Sequence, residues 1–184
     1  MNQKADANKL AYIGSIPGVR DSDSWFTPAV YLDSARDALG CVNFDFDPFS
    51  SAEANEQVRA KKYFTIDDDA LNTEWPYSRN VWINPPYGQG ICGAAIRRVC
   101  DQFEKGRFLH GVVLVNNATD TKWFHQLSGV ASHIVFTDHR ISFWNADGKH
   151  QSGNTRGQCF FVLGPAKVGR IRDTLGRHGL VVKL

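Results

Sequence analysis

The sequence is poor in the features that mark several large function classes. Its apolar runs, of which Gly111 to Val115 is typical, fall far short of the roughly 20 residues that span a bilayer. The opening stretch, Met1 to Lys9, is polar and holds no apolar core of a secretory signal. A cytoplasmic protein without a membrane partner is expected. The four cysteines, Cys41, Cys92, Cys100 and Cys159, are scattered and lack metal or redox spacing, so buried free thiols are expected. His110, His125, His133 and His178 form no metal spacing and no pairing with a nucleophile, and no metal is expected. A zinc deaminase would need a His-x-Glu with a Pro-Cys-x-x-Cys, and neither is present. There is also no repeat, no low-complexity tract and no interdomain linker.

Net charge is small, +2, but uneven. Residues 1–100 hold 10 Lys/Arg against 13 Asp/Glu, and residues 101–184 hold 11 against 6. A basic second half can face phosphates, although solvated surface charge would give the same count. The 184 residues suit one compact domain with a real core. Residues 1–24, polar with Gly14, Pro17 and Gly18, read as a loosely ordered segment before a folded domain over 25–184.

Within that domain apolar runs alternate with helical ones. Pro28 to Leu39 reads as a helix with proline in its first turn and Gly40 just past its end. Strands are expected at Cys41 to Phe46, Val81 to Ile83, Gly111 to Val115, Ser132 to Phe136, Gly157 to Leu163 and Leu180 to Leu184. Helical stretches are expected at Ser51 to Lys61, Gly90 to Glu104, Thr119 to Leu127 and Lys167 to Arg177. Such alternation predicts an α/β sheet with helices on both faces, with ligands held at the carboxyl ends of the strands. The loops after Phe46, Ile83 and Val115 would then share one rim.

One of those loops is unusual. Asn84-Pro85-Pro86-Tyr87 follows the run Val81-Trp82-Ile83 directly. The prolines fix φ and remove two backbone donors, and each residue before a proline is held extended. The Asn84 side-chain oxygen and the Pro85 carbonyl can therefore be aimed at a ligand. A purine's exocyclic amine is a weak nucleophile because its lone pair is delocalised into the ring. Two acceptors at its N–H groups draw it toward tetrahedral geometry, and Tyr87 offers a face for stacking. The pattern resembles the active-site loop of S-adenosylmethionine-dependent methyltransferases acting on amino groups conjugated to a planar π system. A rigid structural turn with a buried tyrosine is the plainer account.

Four other segments carry candidate chemistry. In Phe44-Asp45-Phe46-Asp47-Pro48 an acid at a strand end can accept from a ribose hydroxyl pair, although the glycine-rich phosphate turn is missing. Asp45 and Asp47 alternate, so only one need face a ligand. The pair could also bind a metal or cap the next helix. Trp25-Phe26-Thr27-Pro28 can contact a carboxylate through helix N-terminal amides, or simply start the helix. In Asp67-Asp68-Asp69 one acid could accept from an adenine amino group, or the run is a solvated helix start. After His139-Arg140-Ile141-Ser142-Phe143-Trp144, residues 145–156 are polar and basic, with Lys149, His150, Arg156 and the single acid Asp147. Arg140, Lys149 and Arg156 suit phosphate and base-edge contacts, and Phe143 or Trp144 could stack on an extruded base, although core packing of those rings is the alternative.

In this order the segments resemble the phage-encoded DNA N6-adenine methyltransferases of the Dam type. The matching pieces are Trp25-x-Thr27-Pro28, Asp45-Phe46-Asp47-Pro48 with Asn55, Tyr63-Phe64-Thr65, Asp68-Asp69-x-Leu71 and Trp75. Val81 to Gly88, Val112 to Val115, Trp123-Phe124 and Arg140-Ile141-x-Phe143 complete the series. The likeness spans residues 24–163. It departs at Phe49-Ser50, where small residues are expected, and at Ala70, where glycine is common.

The resemblance implies a single-domain, Rossmann-like methyltransferase sheet. It also implies S-adenosylmethionine as donor, S-adenosylhomocysteine as product, no metal, and N6 of adenine in double-stranded DNA as target. Carried over, Asn84, Pro85, Pro86 and Tyr87 form the catalytic loop. Trp25, Thr27, Pro28 and Asp47, with Asp45 or Asp69 possible, line the cofactor site. Arg140, Phe143, Trp144, Lys149 and Arg156 meet the substrate, with a short recognition loop near 145–156. A monomer or homodimer in the cytoplasm of a bacterial host is expected, phage- or prophage-encoded. The alternatives are a methyltransferase for an RNA base or a protein glutamine, or a catalytically silent nucleic-acid-binding protein of the same fold.

Overall fold

The structure is a computed structural model that describes residues 26–87, 90–144 and 156–184. In chain order the elements are α1 (Ala29–Leu39), β1 (Phe46–Asp47), α2 (Ala52–Val58), β2 (Lys62–Tyr63), a 3-10 turn (Ile66–Asp68) and β3 (Ser78–Ile83). There follow α3 (Ile91–Glu104), β4 (Phe108–Asn116), α4 (Lys122–Val130), β5 (Ala131–Thr137) and β6 (Gln158–Leu163). The last are α5 (Val168–Asp173), a second 3-10 turn (Leu175–His178) and β7 (Gly179–Lys183). The segment 1–24, the expected recognition loop over most of 145–156, Trp25, Gly88 and Lys149 lie outside the described residues.

All seven strands form one sheet in the order β2-β1-β3-β4-β6-β5-β7. The first four run parallel, β6 is antiparallel to both β4 and β5, and β7 is antiparallel to β5. Asp47, Ile83, Asn116 and Thr137 therefore end their strands on one rim, where β6 and β7 begin. From β1 the chain moves outward to β2, then returns across β1 to β3 and proceeds to β4. That reversal places a topological switch point between β1 and β3, the position where open α/β sheets bind ligands.

The sheet is covered on both faces, and strand alternation sorts the core into two layers. Trp82, Val112, Leu114, Phe160 and Val162 face α1, α2 and α5, where Leu32, Ala35, Val58 and Ile171 meet them. Val81, Ile83, Val113, Val115, Phe161 and Leu163 face α3 and α4, where Ile96, Val99 and Leu127 meet them. This double burial explains why the central strands read as unbroken apolar runs. Three of the four cysteines, Cys92, Cys100 and Cys159, are buried free thiols, whereas Cys41 is only half-buried.

Helix ends follow local chemistry. Gly40 takes φ +68°, its amide donating to Asp37 and that of Cys41 to Arg36, a Schellman close to α1. Thr121 caps α4 by accepting from the Phe124 amide, so the helix expected over 119–127 starts later and runs to Val130.

Three expectations are corrected. Of the strand expected over 41–46 only Phe46 is regular, forming β1 with Asp47; Asp45 still joins its neighbours through its backbone, but its carboxylate takes the Asn80 amide, and residues 41–43 lie outside the ladder. The helix expected through Lys61 ends at Val58, because Arg59 adopts φ +54° and Asn55 clamps Ala60, accepting from its amide at 2.8 Å and donating to its carbonyl at 3.1 Å. This leaves Lys62–Tyr63 to form β2. The helix expected over 167–177 breaks at Thr174, whose φ −116°, ψ −93° lies outside helical space.

The Asn55 clamp replaces two backbone bonds that the α2–β2 turn cannot make for itself. Asn55→Ala is expected to lower unfolding free energy by about 1–3 kcal/mol, two net hydrogen bonds' worth, in a denaturant titration.

Candidate active site

The rim at the switch point is lined from three directions. α1 begins with Thr27-Pro28, in which Pro28 sits at the N-cap with φ −57° and Thr27 is buried. β1 ends at Asp47. β3 ends at Ile83, and Asn84 to Tyr87 follow directly. Register places Phe46 opposite Val81 and Ile83 opposite Val113, so Asp47 and Asn84 lie on adjacent strand ends.

The Asn84 carboxamide is held on both sides. Its Nδ2 donates to Thr27 Oγ1 at 3.4 Å, and its Oδ1 accepts from the Tyr87 hydroxyl at 3.0 Å. The same hydroxyl lies 3.0 Å from the Leu114 carbonyl, which anchors the far end of the ring to β4. Tyr87 is consequently divided. Its hydroxyl points inward, and burial raises the phenol well above its ordinary pKa, with smaller contributions from Cys92 and Cys159. The residue as a whole remains 39% exposed, so part of it is accessible on the rim. Pro85 is buried, yet among the described residues no donor takes its carbonyl. The loop thus offers an oriented side-chain oxygen, an unclaimed backbone oxygen and an aromatic face.

The two aspartates differ sharply. Asp45 is partly exposed and binds Lys61 Nζ at 2.8 Å and the Asn80 amide at 2.9 Å. Burial opposes its ionisation, but the Lys61 and backbone hydrogen bonds outweigh that and hold its carboxyl below the usual range. Its oxygens are engaged in joining β1 to β3 and to the α2–β2 turn. Asp47 is 2% exposed, and its neighbours supply only weak compensation, from the Phe49 amide at 3.0 Å and from Ser50. Burial pushes its carboxyl up to about 7. A carboxyl in that condition, at the end of a strand, has unused acceptor capacity and gains from any donor brought to it.

Other candidates fall into place as scaffold. Asp68 closes a capping box with Thr65, accepting from its amide at 2.7 Å. Asp69 takes φ +48° past that turn and accepts from Asn72. Trp75 is buried, with its indole N–H donating to the Ala70 carbonyl. Phe49, where the family pattern has a small residue, stands edge-on to Trp75 at 6.0 Å and fills the space beneath the strand end. Phe143 lies in the core layer below α1. Trp144 forms a two-way backbone bridge with Phe26 and packs edge-on to its ring at 5.3 Å. Arg140 and Arg156 are exposed, Arg156 directly after the stretch outside the described residues and Arg140 a few residues before it.

Sequence reasoning missed Gln158. It is buried at the start of β6, and its side chain accepts from the Ile141 amide at 2.9 Å while donating to the Arg156 carbonyl at 2.8 Å and Asn116 Oδ1 at 3.2 Å. One amide thereby fixes Ile141 and Arg156, on either side of the stretch outside the described residues, to the end of β4. The only sequence signal was a glutamine in an otherwise apolar strand. Also unforeseen is the relay Tyr31–His139–Asp138, with contacts of 2.7 and 2.6 Å, beside a Ser34–His178 contact of 2.8 Å. These ring contacts pin residues 138–139 to α1.

Among the described residues no group of three or more His, Cys, Asp or Glu is placed to hold a metal, and no helix is long and apolar enough to cross a membrane. Comparison with solved structures finds a candidate RNA methyltransferase of Pyrococcus horikoshii that aligns over 91% of this chain and 100% of its own, with TM-score 0.50 and 10% identity. That likeness shows the Rossmann-like methyltransferase fold. In sequence, the DNA N-6-adenine-methyltransferase of Escherichia phage T1 is 22% identical over 168 residues, 83% of this chain and 67% of the phage protein. The family model for DNA N-6-adenine-methyltransferase (Dam) matches residues 15–181. By that match, over nearly the whole chain and across every element of the site, this protein belongs to the Dam family of DNA N-6-adenine-methyltransferases.

Proposed function

We propose that the protein transfers a methyl group from S-adenosylmethionine to the N6 amine of adenine in double-stranded DNA. The observation that carries this reading is the Asn84 carboxamide, braced by Thr27 and Tyr87 beside an unclaimed Pro85 carbonyl and a partly exposed aromatic residue. A planar amine has two N–H groups, and this loop offers two acceptors and a stacking surface, with no group suited to a covalent intermediate.

The cofactor side also fits. Asp47 is a buried carboxyl with acceptor capacity at the switch point, which suits a ribose hydroxyl pair, and the Thr27-Pro28 entrance of α1 stands across the rim. S-adenosylmethionine, when bound, supplies an activated methyl group. The chain's own part is positional and electrostatic. Asp47 orients the cofactor, while Asp45 serves the scaffold. Asn84 Oδ1 and the Pro85 carbonyl each accept from the adenine amine, which localises its lone pair on nitrogen. Tyr87 stacks on the base once it leaves the duplex, worth about 1–3 kcal/mol against the unstacking cost. Transfer of positive charge from sulfur to the amine leaves a proton to be lost, and the two acceptors stabilise the cationic amine before it goes.

Incubation with unmethylated duplex DNA and S-adenosylmethionine, followed by digestion to nucleosides, is expected to yield N6-methyladenine by mass spectrometry. Methylated cytosine, or no methylated base at all, would overturn the reading. Asn84→Ala is expected to keep cofactor affinity and lose about 100-fold or more in single-turnover methyl transfer, in line with removal of one preorganised polar contact.

The Asp47 assignment carries a pH dependence. A carboxyl raised from 3.8 to about 7 on folding contributes stability in full below pH 3.8, and that contribution is lost as pH rises through 7. Asp47→Asn is therefore expected to melt above wild type at pH 8, with the gap closing toward pH 4. Calorimetric affinity of wild type for S-adenosylmethionine is expected to rise with pH and level off above 7, because the ionised acceptor is the one that binds. A flat profile, or an unchanged affinity in Asp47→Asn, would remove Asp47 from the cofactor site.

A further inference from the structure

The positive charge of this protein resides in its last 21 residues. Residues 164–184 hold five Lys/Arg and one Asp, and the rest of the chain holds 16 against 18, so the remainder alone is acidic. Four of the five cations, Lys167, Arg170, Arg172 and Arg177, are exposed on α5 and the 3-10 turn behind it. Among the described residues none of the four has an ion-pair partner, unlike Arg36, Arg59, Lys61, Arg98, Lys105 and Arg107; Lys62, Arg79, Arg97 and Lys122 are also unpaired but lie scattered over other elements, so clustering within one segment is what sets the four apart. Unscreened like charges within one short segment raise its energy unless an anion is there to meet them.

Placement gives these charges a direction. β6 ends at Leu163 on the rim opposite the site, and β7 starts at Gly179 on the rim of the site, so the intervening segment climbs one side of the molecule. Arg170 lies low, with its guanidinium against Gly40 at the end of α1. α5 buries only Ile171, and the flanking Arg170 and Arg172 are exposed, although the Arg170 guanidinium leans on Gly40. Arg177 lies high. The carbonyl of the next residue, His178, accepts from the Asp138 amide at 3.0 Å, and His139 binds Tyr31 at 2.7 Å. Arg140 follows in sequence. The strip therefore meets the root of the substrate-side stretch.

We propose that Lys167, Arg170, Arg172 and Arg177 form a phosphate-tracking surface for duplex DNA flanking the target base, which rests on the DNA reading of the site and extends it to residues outside the catalytic rim. The helical part alone, the five steps from Lys167 to Arg172, spans roughly 7–8 Å, about two phosphates at about 3.4 Å of axial rise per nucleotide along one strand, and Arg177 extends the surface beyond the break at Thr174. The surface supplies affinity without sequence information, since it meets backbone and not base edges. It also anchors the protein to one side of its target.

The test is the salt dependence of binding to a random-sequence duplex of about 30 base pairs, titrated between roughly 50 and 200 mM salt. The combined variant Lys167→Gln, Arg170→Gln, Arg172→Gln, Arg177→Gln is expected to flatten the slope of log K against log salt by about 2–4, near 0.9 for each phosphate left without its cation. Its affinity for S-adenosylmethionine and its turnover at saturating DNA should match wild type, which also reports that it folds. A control removing the same charge elsewhere, Lys62→Gln, Arg79→Gln, Arg97→Gln, Lys122→Gln, should leave the slope nearly intact. An unchanged slope in the first variant, or equal flattening in the control, overturns the strip while leaving the methyltransferase reading standing. Absence of any duplex binding or DNA methylation by wild type overturns both.

Discussion

β3 has no solvent face along its last three residues, and the site depends on that. Trp82 fills one side of the sheet, Val81 and Ile83 fill the other, and β1 and β4 flank it in plane. A strand so enclosed fixes where its end emerges. The next residue is Asn84, followed by two prolines whose φ cannot vary, so the rigidity of the core extends four residues beyond it. The Leu114 carbonyl then catches the Tyr87 hydroxyl at 3.0 Å and ties the loop's far end to β4. The Asn84–Tyr87 loop is therefore held at both ends by β3 and β4, two neighbouring central strands of the sheet.

The same sheet separates two acids that look equivalent in sequence. Asp45 and Asp47 are two residues apart, yet one lies partly in solvent beside Lys61 and the other is almost completely enclosed. The difference arises because regular pairing starts only at Phe46: the Asp45 carboxylate turns to the Asn80 amide and Lys61, whereas Asp47 is enclosed at the strand end. Phe44 accordingly packs under α1, whereas Phe46 packs on the opposite face against Trp75 and Phe64. Asp45 thereby becomes a brace and Asp47 a poised carboxyl. A buried acid without a cation is costly, and in the proposed reading the cofactor hydroxyls offset that cost at the strand end next to the amide loop.

Much of the family likeness turns out to describe scaffold. Asn55 clamps the turn after α2, Thr65 and Asp68 cap one another, and Trp75 closes the lower core through Ala70. Asn55 fixes the turn into β2, while Thr65, Asp68 and Trp75 lie in the crossover from β2 to β3, which has only a short 3-10 turn to define it. It relies on side-chain bonds to hold its path, and that path brings β3 alongside β1.

The sequence by itself determined the alternating α/β layout, the central strands, the Schellman end of α1 and the amide loop. In each of these the information is local: apolar runs, a glycine after a helix, prolines that restrict their neighbours. It also located the acids and the Thr27-Pro28 entrance of α1 as candidates. Only the tertiary structure decided which acid stays free, because Asp45 finds Lys61 and the Asn80 amide from distant segments. Likewise only packing showed that Thr27 touches Asn84 across 57 positions, that Gln158 binds both Ile141 and Arg156, and that Phe143 belongs to the core. The strand order, with β6 reversed between β4 and β5, was equally beyond reach of local pattern. These features rest on contacts between residues far apart in the chain, and the preferences of any single segment carry no record of its partners.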